Sequence, residues 1–318
     1  MVHEPAKRSA LTIHRRRLPF YLCVFLISVI AGFFIGQLLF HHEPNDKDSK
    51  PDTTASQPSD KDNNNTSSKP AIKNDTPLID LQLVVDNWLT TISGTAGVVI
   101  YDLDNGQTVA EYNSAQLFGT ASLYKLFVAY EGYRQAEKGL VDLNDKNYVG
   151  TYTRGECLDL MIRESYSPCA EKMWSEIGNT QLEQIITDEY KLKNTTVLTS
   201  TPTDIAVMMN LYYRHPDLSA KTWEIIKDTM LNQPTTKYNW RQGLPSGFSN
   251  SVNVYNKVGF EYSGTGDIWN FYHDAAIVEF PDLGRHYIVV VMTSHVAPAQ
   301  IAQLATQLET AIRQGAIE

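Results

Sequence analysis

The pattern of apolar and polar residues divides the chain into three parts. Residues 18–40 are apolar and carry no charged side chain, whereas residues 41–77 are polar and contain almost no large apolar residue. From residue 78 onward, apolar residues recur at helical or strand spacing. Because folding requires buried apolar surface, the pattern predicts a disordered linker at 41–77 and one globular domain at 78–318.

Within residues 78–318 the pattern predicts strands at both ends and helices in the middle. Residues 97–103 and 107–112 form a predicted hairpin around Asp104-Asn105-Gly106. Helices are predicted from Ser122 to about Gly139, at 157–164, 170–177, 181–189, 203–213 and 220–231, and finally at 298–313; strands are predicted at 252–258, 274–280 and 286–292. This order predicts an α/β (α+β) sandwich, with an antiparallel five-stranded sheet flanked by helices and a second, all-helical lobe.

The N-terminal segment is predicted to anchor the protein in a membrane. Residues 18–40 are long enough to span a bilayer as a helix, and five basic residues precede them. By the positive-inside rule, residues 1–17 stay in the cytoplasm and the domain at 78–318 lies outside the cell membrane. A cleaved signal peptide is the alternative, although the apolar run is long for one. Gly32 and Gly36 are spaced for a helix-dimer contact, but glycine is common in membrane helices.

The composition of the chain argues against several classes of function. The chain has 42% hydrophobic and 20% charged residues and a net charge of −9, which argues against a nucleic-acid partner. The eight histidines are scattered and no zinc-binding spacing occurs, so no metal or cofactor is expected. The domain is expected to be a monomer.

Ser122 and Lys125 are the first candidates for chemistry. Positions i and i+3 of a helix share a face, and this lysine lies within an apolar run. A desolvated lysine tends toward its neutral form, which can accept the proton of a neighbouring hydroxyl and activate it as a nucleophile. The alternative is a core helix whose lysine extends to solvent.

Two later features extend the pattern. Ser165 lies in a break between two predicted helices, and Lys257-Val258-Gly259 lies on a predicted strand. This order of serine-lysine helix, serine turn and K-x-G strand resembles the class A β-lactamase and penicillin-binding protein superfamily. The segments "GVVIYDLDNGQTVAEYNSAQLF", "TSTPTDIAVMMNLYY" and "WRQGLPSGFSNSVNVYNKVGF" extend the resemblance over residues 96–311. It implies a β-lactamase/transpeptidase-like fold, a bacterial source and an active-site serine hydrolase.

The resemblance also implies a role for each matched residue. Ser122 would be acylated, Lys125 would act as its base, and Ser165 would pass a proton to the leaving nitrogen. The lysine and glycine of the K-x-G strand, Lys257 and Gly259, would shape the substrate-binding wall, with Lys257 facing the substrate carboxylate. The backbone N–H groups of Ser122 and Phe260 would form an oxyanion hole. The implied substrates are β-lactams or the D-Ala-D-Ala-like amides of peptidoglycan stem peptides.

Three departures from the family pattern bear on activity. The family's S-D-N is Ser165-Tyr166-Ser167 here, so Ser167 replaces a substrate-binding asparagine, and K-T-G is Lys257-Val258-Gly259. The family's deacylating glutamate is absent, because no glutamate lies between Glu189 and Thr201. Glu183 and Asp188 are nearby but are predicted to lie on an exposed helix face. The missing glutamate predicts slow deacylation, which favours an enzyme that acts on cell-wall peptides, or one trapped by β-lactams, over an efficient β-lactamase. A β-lactamase, a D,D-carboxypeptidase and another amide or ester hydrolase all remain open. The alternative is a catalytically inactive module that binds cell-wall peptides.

Cys157 and Cys169 flank the turn that contains Ser165. In an oxidising compartment the two are expected to form a disulfide that restrains this turn. Two buried free thiols are the alternative.

Overall fold

A computed structural model of the chain describes residues 80–235, 239–262 and 269–315. In chain order its elements are α1 Leu81–Leu89, β1 Thr95–Asp102, β2 Gln107–Tyr112, β3 Phe118–Gly119, a 3₁₀ turn Ala121–Leu123, α2 Tyr124–Glu137, α3 Arg154–Arg163, α4 Ser167–Ile177, α5 Asn179–Gln184, a π turn Ile185–Glu189, β4 Thr199–Ser200, α6 Pro202–Arg214, α7 Ala220–Leu231, α8 Leu244–Gly247, β5 Asn253–Tyr262, β6 Trp269–Phe280, β7 Arg285–Ser294 and α9 Pro298–Gly315. The predicted cytoplasmic segment, membrane span and linker lie outside the described residues. Within those residues, none of the helices combines the length and apolar character needed to cross a bilayer.

The main sheet has five strands in the order β2-β1-β7-β6-β5, and each neighbouring pair is antiparallel. Strand β1 pairs with β7 from Thr95↔Ser294 to Asp102↔Tyr287, so the beginning and the end of the domain share one layer. The helical segments between β2 and β5 form the second lobe. The five-stranded antiparallel sheet predicted from the sequence is therefore confirmed.

The sheet has a hydrophobic core on each face, because successive strand residues point to opposite sides. Val289 of β7 packs in the core that also contains Trp88 of α1 and Leu304 of α9. The adjacent residue Ile288 packs in the core that also contains Phe127 of α2. The described part of the domain thus has three layers: the terminal helices, the sheet and the helical lobe.

Local signals in the sequence start the helices of the lobe. The side chain of Thr153 caps α3 and forms a capping box with Glu156. Helix α6 has Thr201 as its N-cap and Pro202 in its first turn, and Ser219 caps α7. These caps satisfy backbone N–H groups that a helix leaves without internal partners.

Several element boundaries differ from the sequence prediction. Helix α1, the short strands β3 and β4, and α8 were not among the predicted elements. The predicted helix at 181–189 is α5 followed by a π turn, in which Tyr190 N–H donates to the Ile185 carbonyl. The helix predicted to begin at Ser122 instead starts as a 3₁₀ turn at Ala121. A 3₁₀ turn is tighter than an α-helical turn and is common at helix N-termini.

Candidate active site

Ser122 lies in the 3₁₀ turn that leads into α2. Ala121, immediately before it, has φ +43°, a left-handed conformation that is costly for a residue with a side chain. The surrounding structure holds the turn in place. Thr120 N–H donates to the Leu198 carbonyl at 2.9 Å, and Leu123 N–H donates to the Thr120 carbonyl at 2.9 Å. Ser122 is therefore presented by a strained but well-anchored turn.

Lys125 is the centre of the hydrogen-bond network. Its side chain is fully buried, with 0% of its surface exposed. Its Nζ lies 2.9 Å from Ser122 Oγ, 2.9 Å from the Ser165 carbonyl, 3.3 Å from Ser165 Oγ and 3.1 Å from Ser167 Oγ. The network therefore joins the 3₁₀ turn to the helical lobe.

Burial changes the acidity of this lysine. Desolvation lowers the pKa of Lys125 to about 8, while the negative charge of Glu171 opposes the shift. Because the ammonium form loses its hydration in the interior, the neutral amine becomes accessible near physiological pH. A neutral amine 2.9 Å from the Ser122 hydroxyl can accept the hydroxyl proton.

Ser165 lies in the turn between α3 and α4, and Ser167 is the first residue of α4. Ser165 has φ +54°, and Tyr166 N–H donates to the Leu160 carbonyl at 3.1 Å, which closes the turn. A disulfide joins Cys157 of α3 to Cys169 of α4, with a Cα–Cα distance of 5.1 Å. This covalent link fixes the two helices on either side of Ser165.

Strand β5 supplies Lys257. Its side chain is 1% exposed, and its Nζ donates to Ser165 Oγ at 3.0 Å and to the Val258 carbonyl at 2.7 Å. Burial lowers the pKa of Lys257 well below its ordinary value, and the charge of Lys125 lowers it further, while Asp274 opposes both effects. Ser165 Oγ therefore lies between two amines, one from α2 and one from the sheet.

Gly259 allows β5 to approach the turn that contains Ser122. A Cβ at this position would lie 2.7 Å from the Thr120 carbonyl oxygen and 3.0 Å from Leu123 N, so a larger residue would force the strand away. The next residue, Phe260, is half-buried, and its ring packs on Trp240 with a centroid distance of 5.2 Å. The sheet edge thus lies directly against the serine turn.

The carboxylates near the loop that precedes α6 bind partners outside the network centred on Lys125. Glu189 pairs with Arg134, which also binds Glu131. Asp204 accepts hydrogen bonds from Asn194 N–H at 2.7 Å and from Thr195 Oγ1 at 2.8 Å, and so holds the loop itself. The two other acidic candidates, Glu183 and Asp188, lie on α5 and the π turn, outside the network centred on Lys125.

A buried polar group behind Lys257 was missed by the sequence analysis. Asp274 of β6 pairs with Val258 in the sheet and is fully buried. Its carboxylate accepts hydrogen bonds from Asn256 Nδ2 at 2.9 Å and from Leu244 N–H at 2.8 Å. Burial raises its pKa to about 7, although these hydrogen bonds oppose the rise. The sequence signal that could have revealed this group is an acidic residue at the start of the otherwise apolar strand predicted at 274–280.

The described residues contain no group of three or more histidine, cysteine, aspartate or glutamate side chains placed to hold a metal ion. The described site consists of hydroxyl, amine and backbone groups. These groups can transfer protons and can donate or accept hydrogen bonds.

Solved structures with a similar fold cover about three quarters of this chain. PBP-A has a TM-score of 0.62 at 21% identity, covering 74% of this chain and 97% of that one. A class A beta-lactamase from Bacteroides cellulosilyticus has a TM-score of 0.64 at 18% identity, covering 74% and 98%. At these identities, the two structural matches establish the fold.

Sequence relatives give a shorter match. LppW of Mycobacterium tuberculosis is 29% identical over 104 residues, which are 33% of this chain and 31% of LppW. The chain therefore spans about a third of the length of the curated relatives it matches. The model of the beta-lactamase enzyme family, in contrast, matches residues 81–314. The chain belongs to the beta-lactamase enzyme family.

Proposed function

We propose that this protein is an active-site serine hydrolase that forms an acyl-enzyme through Ser122. The observation that carries the proposal is the 2.9 Å contact between Ser122 Oγ and the buried Nζ of Lys125, whose pKa is lowered to about 8 by burial. In the acylation step, Ser122 Oγ forms a bond to the substrate carbonyl carbon and its proton passes to the neutral Lys125 amine. The carbonyl C–N bond then breaks, and the leaving nitrogen takes up a proton.

Ser165 has the position needed to deliver that proton. Its Oγ is 3.3 Å from Lys125 Nζ and 3.0 Å from Lys257 Nζ, so it can receive a proton from one amine and donate its own to the leaving nitrogen. Water later attacks the acyl carbon, which releases the acid and returns the proton to Ser122. No redox partner or cofactor is needed for this balance.

The substrate class is proposed to be β-lactams or D-Ala-D-Ala-like amides. Both carry a carboxylate close to the scissile amide, and Lys257 supplies an amine at the corresponding wall of the site, whose charged form a bound carboxylate would favour. The backbone N–H groups of Ser122 and Phe260 are the proposed donors to the developing oxyanion, where one donor typically contributes about 3–4 kcal/mol. A variant of the structural neighbour PBP-A was solved as an acyl-enzyme complex with penicillin G, which supports this choice.

Deacylation is proposed to be slow. The loop that precedes α6 contains no glutamate or aspartate, and the neighbouring Glu189 is paired with Arg134. A water molecule that attacks an ester needs a base near operating pH for efficient activation. Without a carboxylate in this loop, the acyl-enzyme is expected to accumulate.

Intact-protein mass spectrometry tests the proposal. Full-length protein in detergent is incubated with a fluorescent penicillin, in parallel with Ser122→Ala and with Ser175→Ala, a control at an exposed serine of α4. We expect a stable adduct in the parent and in Ser175→Ala but not in Ser122→Ala. Rapid hydrolysis of nitrocefin without a lasting adduct would contradict slow deacylation. The absence of any adduct would favour a non-catalytic module that binds cell-wall peptides.

The location of the enzyme is part of the same proposal. Residues 18–40 would anchor the protein in the cell membrane, with the domain at 78–318 outside. Protease added to intact cells is expected to release the domain, while the N-terminal segment stays protected. A domain that is degraded only after cell lysis would contradict this topology.

A further inference from the structure

His273 of β6 lies at the point where β6 separates from β7. The backbone register between these strands runs from Phe280↔Arg285 to Asp274↔Val291. At the residue before Asp274, a side chain replaces the backbone acceptor in this pairing: the backbone N–H of Thr293 donates to His273 Nδ1 at 3.0 Å. The imidazole therefore takes a position that a backbone carbonyl would occupy in a regular ladder.

The hydrogen bonds of this ring define its tautomer. Since Thr293 N–H can only donate, Nδ1 must accept, and the proton of the neutral ring is on Nε2. Nε2 lies 2.7 Å from the Gly119 carbonyl and donates to it. The ring is completely buried, which lowers the pKa of His273 to about 4 and keeps it neutral at physiological pH.

Gly119 is three residues before Ser122. On its other side it pairs with Thr199 of β4, so its peptide unit is held between β4 and the imidazole. The residue that follows Thr120 is the left-handed Ala121, which needs support from its surroundings to keep its conformation. The hydrogen bond from His273 thus holds the carbonyl of Gly119, two residues before this strained position.

The rings of Phe118 and Phe271 pack around the imidazole, with centroid distances of 6.0 Å and 5.5 Å. They hold the ring in one orientation, so the bond to Gly119 is directed. Opposite His273 in the sheet lies Gly259, which contacts the next peptide of the same turn.

We infer that His273 is a positioning residue for the nucleophile: its imidazole carries a hydrogen bond from the end of β7 to Gly119 and so fixes the turn that presents Ser122. The inference deepens the proposed function and rests on it, because the orientation of Ser122 matters for acylation only if Ser122 is the nucleophile. A histidine that merely filled space would act on stability alone.

Two variants of similar polarity separate these roles. His273→Gln can place an amide N–H near the Nε2 position and keep the bond to Gly119. His273→Asn can place an oxygen near the Nδ1 position, which keeps the bond from Thr293 but loses the bond to Gly119. Both leave part of the ring volume empty, and each leaves one buried backbone group without its partner, Thr293 N–H in His273→Gln and the Gly119 carbonyl in His273→Asn. A purely structural role therefore predicts that both variants lose stability and that the folded fraction of each acylates at the same rate.

The first readout is the rate of acylation by the fluorescent penicillin, corrected for the folded fraction. His273→Asn is expected to lower the first-order acylation constant by about 10- to 100-fold, as misplacement of a reacting group does, while the dissociation constant of the initial complex stays unchanged. His273→Gln is expected to acylate at close to the parental rate. Equal acylation rates in the two variants would overturn the inference.

The second readout does not depend on chemistry. Amide hydrogen exchange across residues 118–123 is expected to be faster in His273→Asn than in His273→Gln or the parent. If the parent forms no adduct, the proposed function fails, and this exchange alone decides on His273. Imidazole nitrogen NMR of the parent gives a check that needs no variant: we expect the proton on Nε2, and a proton on Nδ1 would overturn the inference.

Discussion

The protonation of Lys125 should control the rate of acylation. Only the neutral amine can accept the Ser122 proton, and burial lowers the pKa of Lys125 from 10.5 to about 8. At pH 7 a group with a pKa of about 8 is neutral in about one molecule in ten, compared with about one in 3,000 for an unperturbed lysine. The interior therefore raises the concentration of active base by about 300-fold.

The assignment of Lys125 as the base predicts that the acylation rate rises with pH. With a pKa of about 8, the neutral fraction of Lys125 grows about ninefold from pH 6 to 7 and about fivefold from pH 7 to 8, and it levels off above the pKa. The first-order acylation constant, measured with a fluorescent penicillin and acid quench between pH 5.5 and 9.5, should follow the same curve. Loss of positive charge from Lys257 would instead weaken the initial complex. Measuring the rate at several penicillin concentrations separates this effect on binding from the effect on the acylation step.

Lys125→Arg is the matched variant for this test. Arginine keeps a positive charge and hydrogen-bond donors but does not deprotonate in proteins, so acylation should be almost abolished at every pH. A pH-independent rate between 6 and 9 in the parent, or an active Lys125→Arg variant, would refute the assignment of Lys125 as the base.

Three further outcomes are expected. Replacing both cysteines of the Cys157–Cys169 disulfide by serine should lower the free energy of unfolding in urea by about 3 kcal/mol, and an unchanged midpoint would contradict a restraining role. Gly259→Ala should slow acylation by about tenfold or more, because its Cβ would lie 2.7 Å from the Thr120 carbonyl oxygen and displace β5; a parental rate would show that the strand adjusts freely. Asp274 has its pKa raised to about 7, so its contribution to stability is complete below about pH 4 and is lost as pH rises through 7. Relative to the parent, Asp274→Asn should therefore gain stability with rising pH, by up to about 4 kcal/mol between pH 4 and 8, and parallel melting profiles would argue against a buried, protonated carboxyl.

Much of the fold could be predicted because its signals are local. The hairpin around Asp104-Asn105-Gly106, the capped start at Ser219 and the apolar run of β7 each depend on neighbours within a few positions. The start of α2 was less predictable. The 3₁₀ turn before it follows Thr120, whose N–H donates to the carbonyl of Leu198, a residue far away in sequence.

Some contacts of the candidate site could likewise be predicted from local sequence, and others could not. The spacing of Ser122 and Lys125 already predicted their contact, because residues three apart meet on one helical face. The sequence order of Ser165 and Lys257 suggested that they join this pair, but only through a family resemblance. Nothing local indicated that His273 would reach Gly119, or that Asp274 would be buried behind Lys257.

The sequence by itself determined the alternation of helices and strands, the candidate serine-lysine pair and the absence of acidic residues from the loop before α6, since each is a property of adjacent positions. Tertiary structure decided which distant side chains meet and how deeply they are buried. Lys125 acquires its lowered pKa because α2 packs between the lobe and the sheet, which removes water from its amine. The reactivity proposed for Ser122 is therefore encoded locally as a spacing, but it is produced by desolvation in the folded domain.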